Sequence, residues 1–167
     1  NAASKKGSYT ITGESVHVTN NVQNTRFHFG ADKTLVIAKG MTYCASVLYK
    51  LNSGTDSLFL QFETKASDGT MTYYGTLFKQ NQKDIDQGNG WYLRYAVFTA
   101  TADGYADGLF VSTANDFATV TNDLTIMHPM VQMGNAPTAW TASTGDYLTT
   151  AETKTEIKQT ESEIKLK

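Results

Sequence analysis

The chain has 167 residues, 40% of them apolar and 11% aromatic, enough for one well-filled core and therefore for one domain with an appendage. Its formal charge of -2 offers no electrostatic case for nucleic acid or an anionic membrane surface. No apolar run approaches the roughly 18 residues of a membrane span, and no secretory leader pattern opens the sequence.

In chain order, the pattern is strand, turn, strand. Residues 8–12 and 15–19 are short, β-branched and broken by Gly13-Glu14. Arg26-Phe-His-Phe alternates, with Phe27 and Phe29 on one face and Arg26 and His28 on the other. Residues 34–38 and 41–51 come next, separated by Lys39-Gly40. The second of these holds the only cysteine, Cys44. It excludes an internal disulfide and, inside an apolar run, reads as a packed small hydrophobe.

Residues 57–64 place Leu58, Leu60 and Phe62 on one side and Phe59, Gln61 and Glu63 on the other. Ser67-Asp-Gly-Thr is a hairpin signal joining this strand to residues 71–78. Residues 79–90 are polar and contain glycine, which reads as a long loop. Residues 91–101 form the clearest strand. Trp91, Leu93, Tyr95 and Val97 read as its core face, and Tyr92, Arg94, Ala96 and Phe98 as its other face. Residues 102–108 read as a turn region, with further strands at 109–113 and 124–133. Many short strands with frequent turn signals predict an all-β fold, an antiparallel β-sandwich.

The tail is of another kind. Residues 149–167 hold no Gly or Pro, and Ile157 and Ile164 lie seven apart, with Thr153, Thr160 and Lys167 at the alternate seam positions. This is a heptad-like pattern with a weak seam, the start of a coiled-coil stalk. By itself it is too short to hold a helix firmly. The expected division is a β-domain over 1–146 and a helical connector over 147–167.

No catalytic constellation stands out. His17, His28 and His128 are scattered singly, and neither a metal-ligand spacing nor a nucleophile elbow occurs. The expectation is that the chain is not an enzyme. What does stand out is aromatic, amide and charged content on strands. Gln61, Glu63, Tyr74, Tyr92 and Arg94, joined by Arg26 and His28, make a sheet face suited to sugars. Flat rings stack on the apolar face of a pyranose, and planar amide, carboxylate and guanidinium groups bond paired hydroxyls. An ordinary solvent-facing sheet with cross-strand Tyr and Thr pairs would carry the same residue types.

The run Lys39-Gly-Met-Thr-Tyr-Cys-Ala-Ser-Val-Leu-Tyr-Lys, then Gly90-Trp91, then His128-Pro-Met-Val-Gln-Met-Gly-Asn-Ala-Pro-Thr-Ala-Trp resembles one group of modules in order and spacing. These are the jelly-roll carbohydrate-binding modules of tail and baseplate proteins from phages of Gram-positive bacteria. Their closing segment is matched here by Pro129, Gly134, Thr138 and Trp140, with Gln132 where a Glu is common. The resemblance covers residues 9–167 and its short motifs are mostly structural.

It implies a module that holds host cell-wall or capsular saccharide for adsorption, as part of a virion assembled in the bacterial cytoplasm. It also implies other tail or baseplate proteins as partners, and a homo-oligomer, a trimer, in the full-length protein. Nucleic acid and membrane are not implied as partners. Related modules often carry a structural calcium, for which Asp123 is the candidate position; no other cofactor is expected. Met130 and Trp140 are expected in the core. Two alternatives to the adsorption role are a ligand-free structural spacer of the tail and an accessory module of a cell-wall hydrolase.

Overall fold

In the computed structural model, the described residues are 2–3, 8–21, 26–30, 35–75, 82–112 and 120–141. The helical connector expected over 147–167, and with it the boundary at residue 146, lies outside them.

Among the described residues there are twelve strands: β1 (Ala2–Ala3), β2 (Ser8–Thr12), β3 (Ser15–Asn21), β4 (Arg26–Gly30), β5 (Val36–Ile37), β6 (Thr42–Gly54), β7 (Phe59–Lys65), β8 (Met71–Gly75), β9 (Lys83–Gly88), β10 (Trp91–Thr99), β11 (Gly104–Ser112) and β12 (Val120–Met133). They form two antiparallel sheets. The first runs β1-β4-β11-β7-β8, with β5 on β11, and the second runs β2-β3-β12-β6-β10-β9. One apolar cluster joins them, with Phe27, Leu60, Phe62, Leu109 and Val111 from the first sheet and Val18, Val47, Leu124 and Ile126 from the second. Each such side chain contributes about 1.5–3 kcal/mol by leaving water. The expected sandwich is what forms.

Local chemistry sets the hairpins. Gly13 takes φ 56° at the first central position of the two-residue β2–β3 turn, a II′ geometry that only glycine adopts without strain. Between β7 and β8, the Asp68 carboxylate accepts from Thr70 N–H at 2.9 Å, closing the turn that Ser67-Asp-Gly-Thr signalled. Asp103 caps another turn by accepting from Lys39 N–H at 2.8 Å. Asp107, expected in a turn, instead sits within β11 at a register shift between Ala106 and Gly108. An extra residue is accommodated there as a bulge.

Further expectations are corrected. Residues 83–88 are a strand rather than loop. The Asn89-Gly90 pair, both with positive φ, makes the tight I′ turn that folds β9 back on β10. The strand is exposed throughout and polar, so it carries no alternation to betray it. The next correction concerns β10, whose faces are reversed. Phe98 points between the sheets and stacks on Tyr74 at 4.7 Å and near Phe62 at 5.0 Å, while Val97 is exposed. Both faces of β10 are apolar enough to be core, and the charged Arg94 is tolerated inside because it is fully partnered there.

The closing segment is also placed differently from expectation. After Met133 the chain reverses and residues 137–140 run back along the outside of the second sheet. Gln132 holds them: its amide donates to Ala136 C=O at 2.9 Å and accepts from the Thr138 hydroxyl at 2.7 Å. Trp140 is therefore not between the sheets. It stacks on His128 with ring centroids 4.2 Å apart and planes 14° apart. His128 adopts φ 55°, within the register shift between Met127 and Met130, and its Nε2 lies 3.1 Å from Glu14. Met130 is half-buried rather than core. Cys44, opposite Gln132 and Val97, is fully buried, and burial pushes its thiol up to about 11. It is the inert thiol its sequence context predicts.

Candidate functional site

The two strands that carry most of the expected site are β7 and β8. Leu60 and Phe62 enter the core, so Gln61 and Glu63 lie on the opposite, outward face of the first sheet. The β7–β8 register sets Glu63 directly across from Tyr73 and Gln61 across from Gly75. Tyr73 is 56% exposed, so this face presents an accessible ring beside a carboxylate, with an amide two residues along the strand. Glu63 is 7% exposed and already engaged with other groups. Phe59, on the same face, is 4% exposed.

The ladder continues sideways: Gln61 pairs with Phe110, Phe110 with His28, and Ser112 with both Phe59 and Arg26. Arg26 and His28 thus occupy register positions in the same cross-strand rows as Phe59 and Gln61. Their side chains lie outside the described residues.

The other expected site residues are elsewhere. Tyr74 is buried between the sheets, and its hydroxyl accepts from Thr101 N–H at 3.0 Å. Its neighbour Tyr73 is the exposed ring of this hairpin. Counting back from the turn would have found it, since Lys65 pairs with Met71 and Glu63 therefore meets Tyr73. Tyr92 sits on the inner-facing row of β10 but remains exposed at its end, with its ring 5.9 Å from that of Tyr49.

Arg94 is 1% exposed and all five of its N–H groups are taken. Nε and Nη2 hold the two oxygens of Asp84 at 2.8 and 2.6 Å. Nη1 and Nη2 hold those of Asp56 at 2.9 and 2.8 Å. The last Nη1 proton goes to Leu58 C=O at 2.6 Å. With the guanidinium donors spent, the Tyr49 hydroxyl, 2.8 Å from Nη2, is left to donate to Asp84 at 3.0 Å. Burial disfavours charge on Arg94, but its bonds to Asp84 and Asp56 outweigh this and hold its pKa above the usual value. Burial pushes the Tyr49 hydroxyl up as well, so it stays protonated. This cluster ties β9 and the loop before β7 to the centre of the second sheet; it is not part of a ligand face.

Asp123, the position considered for calcium, is engaged by hydrogen-bond donors of two neighbouring strands. Its Oδ1 receives His17 Nε2 at 2.7 Å and the Asn52 amide at 2.8 Å, and those hydrogen bonds hold its carboxyl below the usual range. Among the described residues no three His, Cys, Asp or Glu side chains converge as a metal site. The converging acids, Asp56 and Asp84, enclose a guanidinium.

Among the described residues no helix is long and apolar enough to cross a membrane. The chain matches no family model and no curated protein. Among solved structures it is similar to the enzymatically active domain of tailspike protein 4 from bacteriophage CBA120, with 12% identity and a TM-score of 0.48. That match covers 79% of this chain and 19% of the tailspike chain. A CBM4 structure is 10% identical with a TM-score of 0.43, over 80% of this chain and 77% of that one. The CBM22-1 xylan-binding domain from Paenibacillus barcinonensis is 14% identical with a TM-score of 0.44, over 81% and 86%.

Proposed function

We propose that this chain is a non-catalytic carbohydrate-binding module of the jelly-roll type, and that the outward face of its first sheet is the binding surface. One observation carries the reading: Tyr73 stands exposed directly opposite Glu63, with Gln61 beside them on the same face. A ring of this kind takes the C–H face of a pyranose, and the neighbouring Gln61 amide bonds its hydroxyls, while the buried Glu63 carboxylate lies beneath the ring and is held by groups of the protein. The register positions of Arg26 and His28 extend the surface across β11 to β4.

The closing segment, with its resemblance to modules of phage tail and baseplate proteins, supports a role in host adsorption. Several copies per virion would turn weak single-site binding into firm attachment. The test is a glycan array probed with the wild-type chain and with Tyr73→Ala. Binding of cell-wall or capsular glycans by the wild type, lost in the folded variant, is the expected result. A folded wild type that binds no glycan, or glycan binding that Tyr73→Ala leaves unchanged, overturns the assignment. The burial of Phe59 and Glu63 favours a second reading, a ligand-free spacer of the tail, for which the array would be blank.

A further inference from the structure

Among the described residues, the hairpin of β2 and β3 leaves one strand edge open. Its two-residue turn makes Thr12 and Ser15 a hydrogen-bonded pair. By alternation, Thr10–His17 and Ser8–Thr19 are hydrogen-bonded pairs as well, and Ile11–Val16 and Tyr9–Val18 are not. The backbone N–H and C=O groups of Tyr9 and Ile11 therefore point away from β3, and among the described residues no strand meets them. The side chains of the same two residues face inward. Tyr9 packs edge-on against Phe27 of the opposite sheet at 5.5 Å. Even so, Ile11 is 62% and Tyr9 39% exposed. Among the described residues, the inner layer of the second sheet is unfinished at this edge.

Natural edges are normally blunted by charge, proline or a bulge. The opposite edge of the same sheet obeys: β9 carries Lys83, Asp84 and Asp86, so pairing two copies of it would oppose acids. β2 reads Ser-Tyr-Thr-Ile-Thr, with no charge, no proline and β-forming residues throughout.

We infer that β2 pairs with β2 of a second copy of this chain, antiparallel across a two-fold axis at Thr10. In that register Tyr9 meets Ile11 of the other copy. The outward groups of the two residues then close four backbone hydrogen bonds, and an aromatic ring covers a β-branched side chain on each side of the axis. No like charges face one another. A ladder this short lies below the roughly 1,000 Å² of a stable interface, so the dimer is weak and concentration-dependent. It gains weight when copies are already held together.

Sedimentation velocity over a concentration series tests this with the full chain. The wild type should shift from monomer toward dimer as concentration rises. Ile11→Pro removes an outward N–H that β3 does not use, and Ile11→Lys places like charges across the axis. Both should stay folded by circular dichroism and lose the dimer. Independently, Thr10→Cys should form an intermolecular disulfide under mild oxidation, because a non-hydrogen-bonded antiparallel pair brings Cα atoms to about 4.5 Å. A wild type that is monomeric up to its solubility limit overturns the inference. So does a dimer that persists in both folded Ile11 variants, or a Thr10→Cys chain that does not cross-link.

Discussion

Arg94 shows how much a single residue depends on its partners. Removing the guanidinium by Arg94→Met keeps most of the side-chain volume but leaves Asp56 and Asp84 facing each other. Breaking a buried ion pair on one side costs about 3–5 kcal/mol. Asp84 remains partly solvated, so the expected loss is about 3 kcal/mol, read as a lower urea midpoint. Arg94→Lys should recover little of it, since three donors on a flexible stem replace five in a fixed fork. The same residue shows where reading by residue type failed. A charged side chain on an alternating strand is normally outside, and the two aspartates that reverse this rule lie 38 and 10 residues away in sequence. The consecutive tyrosines divide in the same way. Tyr73 and Tyr74 have identical chemistry, and only the strand register separates an exposed ring from a core one.

The segment after β12 depends on one amide. Gln132 donates to Ala136 C=O and accepts from Thr138, so only a group with both a donor and an acceptor serves at this position. A carboxylate at this position would oppose the Ala136 carbonyl. Gln132→Glu is expected to cost about 1 kcal/mol in thermal or urea unfolding. Faster hydrogen exchange should accompany it over residues 134–140. Element existence was legible where turn chemistry spoke, as at Gly13-Glu14 and at Ser67-Asp-Gly-Thr. β9 was missed because an edge strand wet on all sides has no apolar period. The closing role of residues 128–140 was legible too, but not that Trp140 fastens to the outside of the sandwich. An aromatic residue after a last strand pins equally well on either side of a sheet.

For the molecule as a whole, the two-sheet plan was legible in strand count and turn frequency, while the order of strands within each sheet was not. Long-range pairing is what sequence spacing leaves undetermined: β12 joins β3 to β6, and β11 joins β4 to β7. Acid stability tests one of these joins. Asp123 on β12 bonds His17 of β3 and Asn52 of β6, and its folded pKa lies below the usual carboxylate value. A depressed folded pKa contributes stability above the unfolded pKa of about 3.9, and that contribution disappears as pH falls through the folded value. Asp123→Asn should therefore flatten the fall of melting temperature between neutral and strongly acidic pH. The effect is small because both partners are substantially exposed. A variant with the wild-type pH profile would show that this bond contributes nothing to folding.

The reversal after Met133 also fixes how the domain bears a load. Residues 137–140 lie antiparallel to β12, so tension applied at residue 141 meets their attachments in series, from the free end inward. The Trp140–His128 stack takes the force first, then the Thr138–Gln132 bond, and only after both does it reach the ladder of β12. Contacts loaded one by one peel, whereas a ladder pulled along its length resists in shear with all of its bonds together. Under tension applied at residue 141, this segment would therefore yield first and release a short length of chain before the two sheets are strained.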